Sequence, residues 1–304
     1  MSFTAKDVQA LRERTGCGMM DCKKALTEAE GNMDKAVELL REKGLAAAEK
    51  KSSRIAAEGL VLTKYDEDKR VGAIIEVNSE TDFVAKNDSF RAFVEQCADT
   101  VIACDPKSVE ELNSCKVPGT DSTVEELLRD KILTIGENMK IRRFERIEGV
   151  ASFYIHGGGR IGVAVQFDVD PEAAKNAAFQ EYAKDVAMQI AAAMPAYVNK
   201  EDVPADVIEK EKEILTAQAL NEGKPANIAE KMVAGRINKY YKEVCLVEQP
   251  YIKDGDLTVA KFTEKTAAEI GSPIKIVSFV RYEKGEGLEK KSDNFAEEVA
   301  SMVK

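Results

Sequence analysis

The same pattern of two β-rich runs followed by an apolar helical stripe occurs twice in this sequence. With a shift of 90 residues, Glu58-Gly59 aligns with Glu148-Gly149, and Gly72 aligns with Gly162. With a shift of 89, the stripe Phe90, Phe93, Val94, Cys97, Ala98 and Val101 returns as Phe179, Tyr182, Ala183, Val186, Ala187 and Ile190. We therefore predict an α+β core of two similar lobes, each with a β-hairpin and a helix.

Before the first repeat, apolar spacing predicts three short helices within residues 4–40. Gly16 and Gly18 separate the first two helices, and Asn32 is placed to cap the third. A bundle this small buries little apolar surface, so it needs tight packing or a partner. Residues 46–54 show no apolar period, and we expect them to form a tether to the core.

After the second repeat, residues 207–220 and 226–241 carry helical patterns on either side of a glycine and a proline. This arrangement predicts an antiparallel helical hairpin that projects from the core as an arm. Strand patterns return at residues 244–251 and 272–282, around a helical pattern at 259–270. A final amphipathic helix docks either on this chain or on a partner; its apolar residues are Phe295, Val299, Met302 and Val303.

The predicted fold class is multidomain α+β, with five parts. These are a three-helix module with its tether at 1–54, a first core lobe at 55–140, a second core lobe at 141–194 that continues at 242–283, a helical-hairpin arm at 195–241, and a C-terminal module at 284–304.

The charge balance limits the partners that this chain can bind. Its formal net charge is −10 and no strongly basic run occurs, which argues against binding nucleic acid through phosphates. No stretch approaches the roughly 18 apolar residues of a membrane-spanning helix. Residues 1–16 carry charges where a signal peptide would be apolar. We expect a cytoplasmic protein that binds neither nucleic acid nor a membrane.

No catalytic motif stands out in the sequence. It lacks a phosphate-binding loop, a dinucleotide-binding glycine motif, a zinc-protease helix and a nucleophile elbow. Cys17 and Cys22 are the nearest cysteine pair, but with no histidine beside them they are a weak metal signal. His156 is the only histidine, and the glycines at 157–159 are explained by a hairpin turn. We expect no metal, no cofactor and no catalytic residue.

The stretch SETDFVAKND, residues 79–88, places an acid and a large aromatic directly after a predicted strand. Two interpretations of Phe83 stay open. In one, residues 79–82 form a capping box and Phe83 shares a buried helical face with Phe90. In the other, the polar residues 86–87 interrupt the stripe and Phe83 projects from the lobe. The second repeat has alanine at the corresponding position, so the unit itself does not require an aromatic there.

Five motifs, in order over essentially the whole chain, resemble those of the bacterial elongation factor Ts family. They are LRERTGCGMMDCKKAL, EVNSETDFVAKND, IGENMKIRR, YIHGGGRIGV and GKPANIAEKMVAGRINKYYKEVCLVEQPY. Residues 103–122 contain no motif of this family.

The resemblance implies a guanine-nucleotide exchange factor for elongation factor Tu. It also implies that the N-terminal helices are similar to a ubiquitin-associated domain and dock on the partner's nucleotide-binding domain, with Met19, Met20 and Lys23 in contact. The two lobes would grip the partner's first and third domains, and the last helix would return to the first.

The same resemblance implies which core residues meet the partner. The acid and aromatic of a T-D-F-V motif would be pushed in near the partner's magnesium, beside an Ile-Gly pair, while a glycine-rich turn would meet the third domain. Losing the metal's charge weakens the hold on a diphosphate, so nucleotide is released. The residues that match are Thr81, Asp82, Phe83, Val84, Ile135, Gly136 and His156.

Two other functions remain as alternatives. The chain could be a binding module or holdase that sequesters a translation protein without changing its nucleotide release. An enzyme built around the turn with His156 is a further alternative. Self-association through the arm or the core, giving a homodimer, is also compatible with the pattern.

Overall fold

The computed structural model describes residues 3–223 and 225–289 of the chain. This part consists of helices and small antiparallel sheets, so the predicted α+β class is confirmed. The helices are α1 (Ala5–Thr15), α2 (Met19–Glu28), α3 (Met33–Lys51), α4 (Asp82–Ala85), α5 (Asp88–Cys104), α6 (Val109–Ser114), α7 (Val124–Ile135), α8 (Ala177–Ala193), α9 (Ala205–Asn221), α10 (Ala226–Val244) and α11 (Val259–Ile270). The strands are β1 (Glu58–Asp66), β2 (Val71–Ser79), β3 (Met139–Glu148), β4 (Val150–His156), β5 (Ile161–Asp168), β6 (Pro250–Tyr251), β7 (Asp254–Thr258) and β8 (Lys275–Glu283).

Helices α1, α2 and α3 enclose a small apolar core of their own. Thr4 and Asp7 form a capping box at the start of α1, and the Asn32 side chain caps α3 by accepting a hydrogen bond from Lys35 N (3.0 Å). The buried residues of this core are Val8, Leu11, Cys17, Cys22, Ala25, Leu26, Ala29, Ala36 and Leu40.

Helix α3 extends further than the sequence analysis predicted. We expected a tether at residues 46–54, but the helix continues to Lys51, so that prediction was wrong for most of the segment. Alanine, glutamate and lysine favour helix wherever a neighbouring surface supports them. Here α3 lies against α7: Lys51 Nζ donates to Ile132 O (3.2 Å), and a Cβ at Gly44 would lie 3.8 Å from Arg129 O.

The first sheet has the strand order β1-β2-β3, and α5 covers one of its faces. Side chains alternate along β2 as the pleat requires: Ala73 and Ile75 pack toward α5, while Ile74 packs toward the second sheet. Strand β3 crosses the boundary that we placed between residues 140 and 141. The residues of β3 up to Glu148 therefore lie in the same sheet as the first hairpin.

The second sheet has the order β4-β5-β8, and α8 covers the face away from the first sheet. Val163, Val165 and Phe167 on β5 pack with Phe179 and Tyr182 on α8. Because β8 pairs with β5, the chain returns to this lobe after a long excursion.

The two lobes match element by element. Helices α5 and α8 are both 17 residues long and both begin at an asparagine cap, Asn87 and Asn176. Both end at a non-glycine residue in the left-handed region, Asp105 (φ 50°) and Met194 (φ 48°). The 89-residue shift therefore applies to the caps as well as to the apolar stripe.

The repeat also includes a second helix and a third strand, which the sequence analysis did not recognise. Helices α7 and α11 are both 12 residues long, both are capped by a threonine and both end at a left-handed glycine, Gly136 and Gly271. Each leads to the third strand of its sheet, and both sheets contain a β-bulge, after Glu76 in one and after Gln166 in the other. The second copy is interrupted by the residues between α8 and α11.

The two sheets pack face to face, and glycines permit the close approach. A Cβ at Gly72 would lie 2.3 Å from Phe153 Cζ, and a Cβ at Gly162 would lie 2.4 Å from Val61 Cγ1. The buried residues between the sheets are Val61, Ile74, Ile147, Ala164 and Tyr282.

A buried carboxylate joins the first sheet to the chain that follows β8. Glu76 is fully buried, and its carboxylate accepts hydrogen bonds from Arg143 Nε (2.7 Å), Arg142 Nη1 (3.0 Å) and Gly285 N (2.8 Å). The bulge places two consecutive arginines of β3 opposite Glu76. Asn78 Nδ2 donates to the same carboxylate (3.0 Å), so the buried charge is fully hydrogen-bonded.

Helices α9 and α10 pack against each other through Leu215, Val233 and Ile237.

The segment that follows α10 does not form the long strand that we predicted there. We expected a strand at residues 244–251, but only Pro250–Tyr251 is extended, after a 3-10 turn at Leu246–Glu248. Leu246, which is fully buried, and Val247 pack into the second lobe, so the segment carries a core pattern without a long strand.

The predicted C-terminal helix lies outside the described residues. Within the described ranges, no helix combines the length and the apolar character needed to cross a membrane.

Candidate protein-interaction site

The stretch that follows β2 forms a one-turn helix with an exposed aromatic. In α4, Phe83 is 79% exposed, whereas Val84 beside it is buried against the first lobe. Helix α4 ends before Lys86, and Asn87 then caps a separate helix, so Phe83 and Phe90 do not share one helical face. Phe90 is fully buried. Of the two interpretations of Phe83, the structure therefore agrees with the projecting one.

The capping box expected at residues 79–82 is not formed. Thr81 is the N-cap of α4, but its side chain makes no capping hydrogen bond. Ser79 Oγ instead donates to Thr81 O (3.0 Å), at the end of β2.

Asp82 begins α4 and forms an ion pair with Lys86 Nζ (2.7 Å) one turn later. The hydrogen bond from this lysine lowers the pKa of the Asp82 carboxyl, so the acid is ionised at neutral pH. Lys86 Nζ also lies 5.9 Å from the centre of the Phe83 ring. The surface therefore presents an apolar ring with one acid and one base beside it.

The structure brings Ile135 and Gly136 to the same region. Ile135 ends α7 and packs partly buried against the core that holds Val84, and Gly136 is exposed in the left-handed conformation (φ 89°). The next residue, Glu137, accepts hydrogen bonds from Thr81 Oγ1 (2.7 Å) and Thr81 N (3.0 Å). Two motifs more than fifty residues apart in sequence thus form one continuous site.

The same two segments are also joined by a hydrogen bond in which the donor comes from residues 137–138 and the acceptor from residues 80–81. Glu80 Oε1 accepts from Asn138 N (2.5 Å), and it also pairs with Arg54 Nη1 (3.4 Å). Asn138 Nδ2 in turn donates to Arg54 O (2.8 Å). The short connection between α3 and β1 is therefore fixed to the site.

A cleft of about 600 Å³ opens beside these contacts, between the end of α1, the start of α5 and α7. Burial raises the pKa of Asp130 and lowers the pKa of Lys131 in its wall, and Lys131 Nζ donates to Ser89 Oγ (2.8 Å). The cleft connects the N-terminal helices to the core site, and its lining is Arg14, Thr15, Gly16, Asn87, Ser89, Leu127, Asp130, Lys131, Thr134 and Ile135.

Three other residues named from the sequence are also exposed. Met19 and Met20 are 46% and 62% exposed at the start of α2, and Lys23 is exposed one turn later. The same helix buries Cys22 and Leu26 on its other side. Large apolar side chains left in solvent on a small module mark a candidate contact surface.

His156 ends β4 beside the glycine turn and is exposed. Its Nδ1 lies 3.1 Å from Tyr154 Oη, and the turn itself packs on the first lobe, where Val61 N donates to Gly159 O (2.8 Å).

Among residues 3–223 and 225–289, no group of three or more histidine, cysteine or acidic side chains is arranged to hold a metal ion. All six cysteines lie in this part of the chain, and none forms a disulfide.

Three residues of the site were missed by the sequence analysis: Glu80, Glu137 and Asn138. Each lies inside a motif quoted from the sequence and within two residues of a predicted contact residue, but no periodicity connects residues this far apart in the chain. Their position in these motifs was the only available signal.

Comparison with known proteins shows similarity over the whole chain. The family model described as Elongation factor TS matches residues 80–286. Proteins named Elongation factor Ts from Clostridium perfringens and Clostridium botulinum are 57% identical over 303 and 304 residues, and one from Clostridium kluyveri is 54% identical over 305. In each case the match covers 99% of both chains.

Proposed function

This chain belongs to the elongation factor Ts family, and we propose that Phe83 acts as a wedge in its exchange reaction. Membership implies nucleotide exchange on elongation factor Tu during translation elongation, without a covalent reaction of the chain's own.

The exposure of Phe83 is the observation that carries the proposal. A phenylalanine that is 79% exposed gains little from its own fold, while the buried Val84 and Phe90 that follow it hold the backbone in place. A projecting aromatic is a kind of side chain that is enriched in protein interfaces. Its burial in a partner is favoured by the large apolar area that leaves water.

Phe83, acting as the wedge, would weaken the partner's binding of nucleotide. Inserted near the bound magnesium, Phe83 displaces elements that contact the metal and the phosphates, with Asp82 beside it. Without the metal's positive charge, the diphosphate is bound more weakly. Linkage is reciprocal, so incoming nucleotide weakens the binding of the exchange factor in turn and expels it.

The remaining surfaces support the same complex. Met19, Met20 and Lys23 would place the N-terminal module, similar to a ubiquitin-associated domain, on the partner's nucleotide-binding domain. Ile135 and Gly136 would lie beside the wedge, while the turn with His156 would meet the third domain. The C-terminal module would return to the first domain. The location would be cytoplasmic, and a homodimer through the helical hairpin or the core stays a prediction.

The direct test is the release of a fluorescent GDP analogue from purified elongation factor Tu with magnesium present. We expect acceleration at amounts of this chain well below one equivalent, and a large loss of that acceleration in Phe83→Ala. Ile252→Ala, which also removes an exposed apolar side chain, serves as the matched control. Binding without accelerated release would favour the alternative of a sequestering module.

A further inference from the structure

We propose that Glu137 is a positioning residue that holds the turn carrying Asp82 and Phe83, an inference that rests on the proposed function. Its carboxylate accepts from both the backbone N and the side-chain Oγ1 of Thr81, at 3.0 and 2.7 Å. Hydrogen bonds to an ionised acceptor are among the stronger ones in proteins. Thr81 is the residue from which α4 begins.

A second carboxylate-to-backbone hydrogen bond joins the same two segments and supports the contact of Glu137 with Thr81. Glu80, one residue before Thr81, accepts from Asn138 N (2.5 Å), one residue after Glu137. The two segments thus exchange carboxylate-to-backbone hydrogen bonds in both directions. Such a pair fixes both the separation and the relative rotation of the segments.

The second lobe provides an internal comparison for this clamp. At the corresponding turn, Asp170 Oδ1 accepts from Glu172 N (2.9 Å) and Ala173 N (3.0 Å), which is an ordinary local cap. Helices α7 and α11, with their end glycines Gly136 and Gly271, correspond under a shift of 135 residues, so the counterpart of Glu137 is Ser272. Among the described residues, the Ser272 Oγ bonds only to Pro273 O (3.5 Å). The strand-to-helix turn of this unit therefore folds without a remote carboxylate.

In the first lobe a remote carboxylate bonds to the N-cap residue Thr81, where the second lobe has a local aspartate cap, and of the two turns only this one presents an aromatic. Helix α4 is four residues long, and a helix this short has little stability of its own. With its ring in solvent, Phe83 contributes few contacts that could fix its backbone. The position of the ring is therefore set by Val84 on one side and by the Glu137–Thr81 contact on the other.

The first test measures the turn in the free protein, without the partner. In Glu137→Ala, amide hydrogen exchange at residues 80–85 should become about tenfold faster, as loss of a charge-assisted hydrogen bond implies. Ser272→Ala, at the corresponding place in the second lobe, should leave exchange in both turns unchanged. Unchanged protection of residues 80–85 in Glu137→Ala would overturn the proposal.

The second test measures release of the GDP analogue from elongation factor Tu over a range of concentrations of the factor. Glu137→Ala should lower the maximal release rate about tenfold, because small misplacements of an acting group have effects of this size. The half-saturating concentration should change less than about twofold, and Glu137→Gln should be intermediate because it keeps one acceptor oxygen.

A double variant separates positioning from a merely structural role. If Glu137 acts through Phe83, then Glu137→Ala should change the rate less than about twofold in a Phe83→Ala background. An undiminished effect in that background would contradict the proposal. If the wild-type chain does not accelerate GDP release at all, the proposed function fails, while the hydrogen-exchange test still decides whether Glu137 holds the turn.

Discussion

Gly72 and Gly162 lie at corresponding positions of the two lobes, and each admits a side chain from the opposite sheet. Phe153 of β4 fills the space above Gly72, and Val61 of β1 fills the space above Gly162. The two sheets therefore approach closely at these two glycines of β2 and β5.

Adding a methyl group at either glycine should destabilise the fold. Gly72→Ala and Gly162→Ala should each lower the free energy of unfolding by about 1–3 kcal/mol, because the new Cβ overlaps a packed neighbour. Gly235→Ala is the control, since Gly235 is exposed in α10 with nothing within 4 Å of a Cβ. It should be neutral or stabilising by up to about 1 kcal/mol. Urea unfolding would measure all three, and equal stability of the three variants would contradict the close approach.

Two phenylalanines seven residues apart should behave in opposite ways. Phe90→Ala should cost about 3–5 kcal/mol of stability, because a fully buried ring leaves a cavity. Phe83→Ala should cost less than about 0.5 kcal/mol, because the ring is in solvent, yet it should slow the stimulated release of GDP severely. Thermal unfolding and the release assay on both variants distinguish the roles. A large loss of stability in Phe83→Ala would instead support the interpretation in which Phe83 is part of the core.

The buried Glu76 should make stability depend on pH. Burial alone would raise the pKa of its carboxyl, but hydrogen bonds from Gly285 N, Asn78 and Arg143 outweigh it and lower the pKa. The stabilisation is therefore present above the unfolded pKa of about 4.3 and is lost as the pH falls through the folded value.

Glu76→Gln should cost about 2–3 kcal/mol at pH 7, since Arg142 and Arg143 lose a partner but keep some solvent. The difference from the wild type should shrink as the pH falls from the unfolded pKa of about 4.3 through the lower folded pKa, where the native carboxylate also becomes protonated. Glu125→Gln, which removes an exposed pairing with Arg129, should cost under about 0.5 kcal/mol at any pH. Denaturant unfolding at several pH values would measure this, and a pH-independent difference for Glu76→Gln would contradict the assignment.

The asparagine caps of α5 and α8 allow a matched comparison of stability with function. Asn87 and Asn176 each accept a backbone hydrogen bond from the residue two positions on, at 2.8 and 2.9 Å. Each Asn→Ala substitution should cost about 1 kcal/mol. Only Asn87→Ala should also slow GDP release, because Asn87 directly follows the turn that carries Phe83. Equal effects on release from both variants would show that loss of stability alone explains them.

Local sequence patterns predicted the helices that cover the two sheets, but not the elements that depend on contacts distant in the chain. The stripes from Phe90 and Phe179 follow the helical period because each helix buries one face on a sheet. Strand β3 was not recognised because its sequence, MKIRRFERIE, is charged, and its arginines become partners of Glu76 only through the bulge. Helix α3 extended into the expected tether because α7 supports it, which is a tertiary effect.

The candidate site, too, could be predicted from the sequence only in part. An aromatic beside an acid at residues 82–83, in place of the alanine of the second repeat, was visible in the sequence as an exception. Whether Phe83 was exposed depended on the chain turning at residues 86–87. The contact of Glu137 with Thr81 spans 56 residues, and no local rule selects that carboxylate among the many in the chain.

The face-to-face contact of the lobes has an evolutionary consequence. The second strand of each lobe meets the first strand of the other, as in a symmetric homodimer of one small unit. Fusion of two copies of such a unit would place both halves in a single chain, where each can carry its own addition. One half carries the projecting aromatic, while in the other two long helices lie between α8 and α11.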